Sequence, residues 1–343
     1  MSTEVPRSAS ELSEILLSAT SDGSSVRLVG GGTHSGYGYP VHASVDISTE
    51  GMVDVIAWEP DDLTVTVGAG ARVADIERLV NQSGLTLVMP EHPGRATIGG
   101  VLAAGVSSLR RGRLLGTRER VLETTVVTGD GRRVRSGGRV VKNVTGFDLS
   151  RLHVGAFGAL GVLVSVCLKL WPLPEAGLTV TVDDPARAWS VARPLAVLQD
   201  AASTRVYISG PAREVEAVAR RVGGDVEPGL LWPKDPMGVF RWSLRVPPAV
   251  IAEALTRLPV GWDYLVLHGV GEIRLASPGS DGALALRSWA EDAGGHLVVV
   301  EAPAGNGFEP WGKPPGTLEL QRALIASFDP ARIINPGLLP GGL

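Results

Sequence analysis

A short apolar segment that runs directly into three glycines constrains this chain most. Val26, Leu28 and Val29 predict a buried strand, and residues 30–32 are all glycine, followed by Thr33, His34 and Ser35. Glycine lacks a Cβ, so such a backbone adopts positive φ and comes close to a ligand. Successive N–H groups in a turn of this kind form a concave anion site without needing a lysine. A plain surface turn is the alternative interpretation of the glycine run.

Two further stretches of small residues favour the ligand interpretation. They are Pro90–Gly105 and Gly155–Leu163, and each borders an apolar segment. Thr97 is placed to cap a helix of small residues, whose first N–H groups would then be available to a phosphate. A tightly packed helix is the alternative there.

Composition excludes several classes of protein. The chain has 343 residues, 44% of them hydrophobic and 20% charged, which fits two globular domains. Its net charge of -4 gives no general attraction to nucleic acid. The single cysteine, Cys167, lies in an apolar strand pattern and excludes both a disulfide framework and a thiolate metal cluster. The six histidines form no H-x-H or H-x-x-E pattern, so no metal site is expected. The first residues lack the apolar region of a signal peptide, and a cytoplasmic protein is expected.

Periodicity predicts the secondary structure of the first half. Helices are expected after Ser8 and over Val73–Asn81, and strands over 43–48, 63–67 and 85–89. Residues 123–128 and 132–135 are typical of a hairpin. Five arginines between Arg110 and Arg120 form either a solvated basic loop or a patch that faces an acidic partner.

Five motifs, taken in order, resemble the vanillyl-alcohol-oxidase type, or PCMH type, of FAD-binding proteins, and within it the E-subunit family of glycolate oxidases. They are Val29–Thr33, Thr64–Gly70, Ala96–Gly100, Lys142–Asp148 and Gly155–Val162. Ala103–Arg111, Val140–Val144 and Phe328–Gly337 resemble the E-subunit family specifically. The resemblance covers roughly residues 8–175 and 317–340 and is specific because the motifs keep the family's order.

The resemblance implies a cofactor and its binding residues. FAD would be held by the first glycine loop, the segment 94–105, the loop 155–162 and the returning C-terminus. The residues expected to bind it are Gly30, Gly31, Gly32, Thr33, His34, Ser35, Gly94, Thr97, Gly99, Gly100, Gly105, Gly155, Gly158, Gly161, Val162 and Asn335. Thr33 directly follows the glycines where some covalent relatives have histidine, so non-covalent FAD is expected. Phe157 stands where relatives that oxidise substrate themselves often have an acidic residue.

The resemblance also implies an architecture. We expect an α+β fold, with a two-part PCMH-type FAD-binding domain over residues 1–173, a smaller ferredoxin-like α+β cap over 174–316, and a C-terminal segment 317–343 that returns to the first domain. The cap assignment rests on alternating helix and strand patterns. These include a helix over 185–198 and strands over 178–182, 205–208, 240–246, 264–268, 272–276 and 297–300.

The implied function is that of an FAD-binding oxidoreductase subunit in a glycolate oxidase-type complex that oxidises a 2-hydroxy acid. A homologous FAD subunit and an iron–sulfur subunit would be its partners, with attachment to the inner membrane through them left open. A stand-alone flavin oxidase for another alcohol or sugar and a non-catalytic flavin-binding scaffold are the alternatives. No catalytic residue is identified from the sequence. His268 ends a strand and could reach a cavity, and Arg241, Arg245 and Arg274 could bind a carboxylate; ordinary strand positions are the alternative for all four.

Overall fold

A computed structural model describes residues 2–139 and 148–343. The chain divides into two compact units, one formed by residues 1–108, 116–173 and 314–343 and the other by 109–115 and 174–313. The assignment of these units to a cofactor domain and a cap stays a prediction. Among the described residues, no helix is both long and apolar enough to cross a bilayer.

The secondary structure mixes helices and strands throughout both units. The strands are β1 (Ser2–Glu4), β2 (Val26–Val29), β3 (Val45–Ser48), β4 (Val55–Glu59), β5 (Thr64–Gly68), β6 (Leu85–Thr86), β7 (Val121–Val127), β8 (Arg133–Gly137), β9 (Val162–Lys169), β10 (Trp171–Pro172), β11 (Ala176–Val182), β12 (Ala196–Gln199), β13 (Thr204–Gly210), β14 (Asp225–Pro228), β15 (Phe240–Arg245), β16 (Asp263–Leu267), β17 (Glu272–Ser277) and β18 (His296–Glu301). The helices are α1 (Ala9–Asp22), α2 (Val73–Asn81), α3 (Ile98–Ala104), α4 (Arg111–Leu114), α5 (Pro185–Ala188), α6 (Ala212–Val222), α7 (Ile251–Thr256), α8 (Ala283–Asp292) and α9 (Leu318–Phe328).

The first unit is built on two main sheets. One is a parallel sheet with the strand order β1-β3-β2. The other is an antiparallel sheet with the order β4-β5-β9-β7-β8. Helix α1 packs its buried face, including Leu12 and Leu16, in one core with Val26 and Ile47 of the parallel sheet. Helices α2 and α3 contribute to a second core with the antiparallel sheet. The glycine loop therefore begins at the end of a strand, β2, that is packed in this core.

The second unit contains one eight-stranded antiparallel sheet with the order β14-β11-β13-β12-β16-β17-β15-β18. Its chain order is β-α-β-β-α-β over β11–β14 and again over β15–β18. Each half has the arrangement of a ferredoxin-like fold. The halves join edge to edge where β12 pairs with β16, with Leu198 opposite Leu267 and Gln199 opposite Val266. The α+β fold class is confirmed, and the second unit holds two ferredoxin-like halves.

Most predicted elements are present, and two are wrong in extent. The helix predicted over 185–198 ends at Ala188, and β12 occupies Ala196–Gln199. Pro194 explains the difference, because its ring blocks an interior helical position and pushes the residue before it toward an extended conformation. The strand predicted over 85–89 covers only Leu85–Thr86, since Val88 has a φ of 55°. Helix α9 was not predicted. Cys167 is buried on β9, and burial raises the pKa of its thiol, as expected of an inert residue.

Candidate FAD site

The glycine loop after β2 lies on the segment that precedes α3. A Cβ at Gly30 would be 2.5 Å from Thr97 Oγ1, and one at Gly31 would overlap the carbonyl oxygen of Arg95. Both positions therefore need glycine for close packing. Gly32 has a φ of 72° and open space where a Cβ would be, so it needs glycine for its backbone conformation.

The outer part of this loop presents unused polar groups. The N–H groups of Gly31, Gly32 and Thr33 donate to no acceptor within residues 2–139 and 148–343. The hydroxyl of Ser35 donates to Gly32 O at 3.1 Å, which closes the turn. The Thr33 hydroxyl lies 3.0 Å from Nδ1 of His34. Consecutive unpaired amides on an exposed loop are what an anion site requires.

The start of α3 differs from its sequence-based prediction. Thr97 caps the helix as predicted, because its Oγ1 accepts the Gly100 N–H at 3.2 Å. However, the Ile98 N–H donates to Ala71 O at 2.8 Å and the Gly99 N–H to Ala69 O at 2.7 Å. The prediction that the first amides of this helix are available to a phosphate is therefore wrong. These two amides instead form hydrogen bonds that hold α3 against the segment after β5.

The loop 155–161 lies against the C-terminal end of α3. Gly155 donates its N–H to Leu102 O at 3.0 Å, and Phe157 donates its N–H to Ala103 O at 2.9 Å. A Cβ at Gly105, which ends the helix with a φ of 66°, would be 3.1 Å from Gly155 Cα. Phe157 itself has a φ of 49°. A bulky residue in this region is strained and persists only when its surroundings hold it.

Asn335 joins the C-terminal segment to both loops. Its Oδ1 accepts the Leu28 N–H at 2.8 Å, and its Nδ2 donates to Phe157 O at 2.8 Å. Its own N–H donates to Val26 O at 2.8 Å. All 16 residues that were predicted to bind FAD thus lie in the first unit, on segments that are in mutual contact.

The predicted residues differ in how much of them faces outward. Gly32, Thr33, Ser35, Gly94 and Gly155 are exposed. A second group is half-buried and comprises Gly30, Gly31, His34, Gly100, Gly105 and Gly158. The third group is buried and comprises Thr97, Gly99, Gly161, Val162 and Asn335. The buried residues support the loops, whereas the exposed ones present surface to a ligand. The motif residues 140–147 lie outside the described residues.

Comparison with known proteins identifies the family. The family model described as "FAD binding domain" matches residues 3–137. Glycolate oxidase subunit GlcE of Escherichia coli is 31% identical over 307 residues, which cover 82% of this chain and 83% of that subunit. The chain belongs to this family of FAD-binding oxidoreductases. It is an enzyme of the FAD-dependent class, and its cofactor is FAD.

Other relatives of the FAD-binding family match a shorter part of the chain. Glycolate oxidase subunit GlcD of Bacillus subtilis is 32% identical over 51% of this chain and 38% of its own length. D-lactate dehydrogenase of Archaeoglobus fulgidus is 32% identical over 49% of this chain and 38% of its own length. Two solved structures of alkyldihydroxyacetonephosphate synthase share the fold, each with a TM-score of 0.70, at 15% and 14% identity. They cover 97% of this chain and 75% or 76% of their own chains.

The first unit has one feature that suits the charge of FAD. FAD carries a doubly charged pyrophosphate, and the exposed loop 31–33 offers unpaired amides without a basic side chain between them. The side chains of Thr97, which caps α3, and of Asn335, which bonds β2 and the loop 155–161, are buried and already hydrogen-bonded. The backbone therefore supplies the polar groups, and the side chains fix its shape.

In the second unit, three of the four residues considered for substrate binding already contact other side chains of the protein. The Nε2 atom of His268 lies 2.8 Å from Gln199 Oε1, and burial lowers the pKa of this imidazole. Arg241 forms an ion pair with Glu301, and Arg274 pairs with Asp235 at 2.6 Å. Arg245 is exposed at the end of β15. The interpretation of these residues as ordinary strand positions holds for Arg241 and Arg274.

A buried ion pair in the second unit was missed by the sequence analysis. Arg111 of α4 lies 2.6 Å from Glu272 of β17, and their side chains are 16% and 8% exposed. Burial alone would raise the pKa of Glu272, but Arg274, Arg111 and Arg245 hold the pKa at about 2. The solvated-loop interpretation of the arginine run is therefore wrong for Arg111, and also for Arg120, which is buried beside Trp171. The sequence did carry a signal for this burial. Leu109 and Leu114 flank the arginines, and apolar side chains in such a segment indicate that it packs against a core.

Proposed function

We propose that this chain is the non-covalent FAD subunit of a glycolate oxidase-type complex that oxidises a 2-hydroxy acid. The similarity to subunit GlcE carries the proposal, because it spans 82% of this chain and 83% of that protein, and so extends into the second unit. The similarity to subunit GlcD covers only about half of this chain. Both matches are explained if this chain and a second, homologous flavoprotein subunit of the same complex each contain an FAD domain.

The residues of the first unit would hold the cofactor in a defined way. The amides of Gly31, Gly32 and Thr33 would bind the pyrophosphate, while Gly155 and its loop would border the ribityl and adenine side. Bound FAD would supply the chemistry of accepting a hydride from the substrate. Thr33 follows the glycines and its hydroxyl contacts His34, so no histidine occupies the position directly after them.

Substrate oxidation additionally needs a base for the hydroxyl proton and a cation for the carboxylate. His268 is hydrogen-bonded to Gln199, and Arg241 and Arg274 already pair with carboxylates. These contacts favour a homologous FAD subunit as the site of the chemical step. The chain has one cysteine, whereas iron–sulfur clusters need several thiolates. An iron–sulfur subunit would accordingly receive the electrons.

The test is anaerobic mixing of the purified, FAD-loaded protein with excess glycolate or D-lactate, followed at the flavin absorption band. We expect no bleaching by this chain alone and rapid bleaching after the homologous FAD subunit and the iron–sulfur subunit are added. Rapid bleaching by this chain alone would contradict the proposal and would make the chain a self-sufficient dehydrogenase. No bleaching in the assembled complex with any 2-hydroxy acid would contradict the substrate class.

A further inference from the structure

The side chain of Asn335 connects three segments that are far apart in the sequence. Its Oδ1 accepts the Leu28 N–H and its Nδ2 donates to the Phe157 carbonyl oxygen, each at 2.8 Å. Asn335 is only 6% exposed. Leu28 lies two residues before the glycine loop, and Phe157 lies within the loop 155–161. The same residue thus holds the end of the strand that leads into one loop and the middle of the other loop.

The chemistry of the contact requires asparagine. One partner is a donor and the other an acceptor, so the side chain must accept and donate over a short reach. Aspartate of the same size has no donor when ionised, and leucine has neither group. Asn335 has a φ of 45°, a conformation that asparagine tolerates better than most residues with a side chain.

Neighbouring residues are shaped to this contact. A Cβ at Gly158 would be 3.3 Å from Asn335 Nδ2 and 2.5 Å from Leu28 Cδ1, so the loop lies flat against both residues. Asp329, which is 1% exposed, accepts the Ile334 N–H on Oδ2 at 2.8 Å and holds the turn that delivers Asn335. The Val26 N–H also donates to Ile333 O at 2.8 Å. Contacts at Ile333 and Ile334 therefore hold the backbone of the returning segment in place next to Asn335.

Phe157 links the Asn335 contact to α3 and to the residues after the glycine loop. Its N–H is bonded to Ala103 O of α3 at 2.9 Å, and its ring lies 5.5 Å from that of Tyr37, which follows the glycine loop. Its positive φ is a strained conformation that a bond at its carbonyl group helps to maintain. Loss of the Asn335 bond would let the carbonyl group turn and would move the loop relative to α3.

We propose that Asn335 is a positioning residue for the flavin, which sets the glycine loop and the loop 155–161 at the spacing that FAD requires without contributing the main contacts itself. This inference rests on the proposed placement of FAD on these two loops. The inference changes the role expected of Asn335 from direct contact with FAD to support of the two loops that hold it.

The test compares Asn335→Asp with Asn81→Asp, an exposed change of the same charge at the end of α2. Each apoprotein is titrated with FAD by flavin fluorescence, at a temperature where thermal melting shows both to be folded. We expect the Kd of Asn335→Asp to rise about tenfold or more, because a buried acceptor loses its donor. The visible circular dichroism of its bound flavin should also change, a readout that lower stability alone would not move. Asn335→Gly keeps the backbone conformation without either bond and replaces the aspartate variant if that variant does not fold.

Hydrogen exchange of the wild-type protein supplies a second measurement without a variant. Adding FAD should slow exchange together in residues 27–35, 154–161 and 331–337. Protection of the first two segments without the third would overturn the inference, as would an unchanged Kd and dichroism in Asn335→Asp. A wild-type apoprotein that does not bind FAD on these loops would instead contradict the proposed site itself, so the two failures are distinguishable.

Discussion

Single glycines in the candidate site act through different physical causes that sequence cannot separate. Gly31 and Gly99 pack so closely that a Cβ would meet neighbouring backbone, whereas Gly32 and Gly155 have open space and positive φ. The run of glycines predicted the loop because all of these causes select the same residue. Which glycine lies against protein and which faces outward depends on contacts with residues 95–105, far along the chain.

The first prediction concerns Gly31→Ala. The new methyl group would overlap the Arg95 carbonyl oxygen and push the loop away from the segment before α3. We expect FAD affinity to fall by about tenfold or more, equivalent to about 1.4 kcal/mol. Gly316→Ala is the matched control, because Gly316 is exposed, has open space around its Cβ position and should bind FAD as the wild type does. Equal Kd values for the two variants in a flavin titration would contradict the loop packing.

The second prediction concerns Glu272→Gln. The substitution leaves Arg111 buried without its counter-charge, and breaking a buried pair in this way costs about 3 kcal/mol of unfolding free energy. Glu301→Gln removes the partner of Arg241, but Glu301 is 55% exposed, so its loss should cost less than about 1 kcal/mol. Urea unfolding of the second unit, followed by tryptophan fluorescence, measures both. Similar losses in the two variants would show that the Arg111 pair is solvated.

The same pair has a pH dependence with a definite sign. The folded pKa of Glu272 is about 2, below its ordinary value of 4.5, so its contribution is complete above pH 4.5 and is lost as the pH falls toward 2. The stability difference between wild type and Glu272→Gln should therefore be constant at neutral pH and shrink across that window. A difference that is unchanged at pH 3 would contradict the assignment.

At the scale of elements, hydrophobic period predicted most helices and strands but not how they pair. Helix α2 and the hairpin β7–β8 follow from local pattern and are present. The division of 185–198 into α5 and β12 was missed, although Pro194 was a visible signal. The junction of the two ferredoxin-like halves through β12 and β16 joins residues about 70 positions apart, and period alone carries no information on such a pairing.

The third prediction tests that junction. Leu198 of β12 is 1% exposed and packs with Tyr207, Leu265 and Leu267 in one cluster. Leu198→Ala should cost about 2–5 kcal/mol, since it leaves a cavity between the halves. It should also speed amide exchange in Asp263–Leu267. The control is Leu284→Ala on α8, where the side chain is 70% exposed and the expected change is small. Unchanged exchange in β16 would show that the halves do not depend on each other there.

At the scale of the whole molecule, the order of motifs predicted the family and the cofactor, and both are confirmed. The second unit was harder to interpret because its motifs are weak and its fold recurs with many functions. Its buried Arg111–Glu272 pair joins α4, which interrupts the first unit in the sequence, to a strand more than 150 residues later. The alternation of leucines and arginines around Arg111 indicates burial, but no local pattern identifies Glu272 as the partner.

Flavin stoichiometry and release test the central claim most directly. The purified protein is saturated with FAD, separated from free flavin, and precipitated with acid, and the flavin in the supernatant is identified and counted per chain. We predict one FAD per chain, released completely into the supernatant, with no comparable binding of FMN. A protein that takes up no FAD would contradict the site, and flavin that stays with the precipitated polypeptide would contradict non-covalent binding.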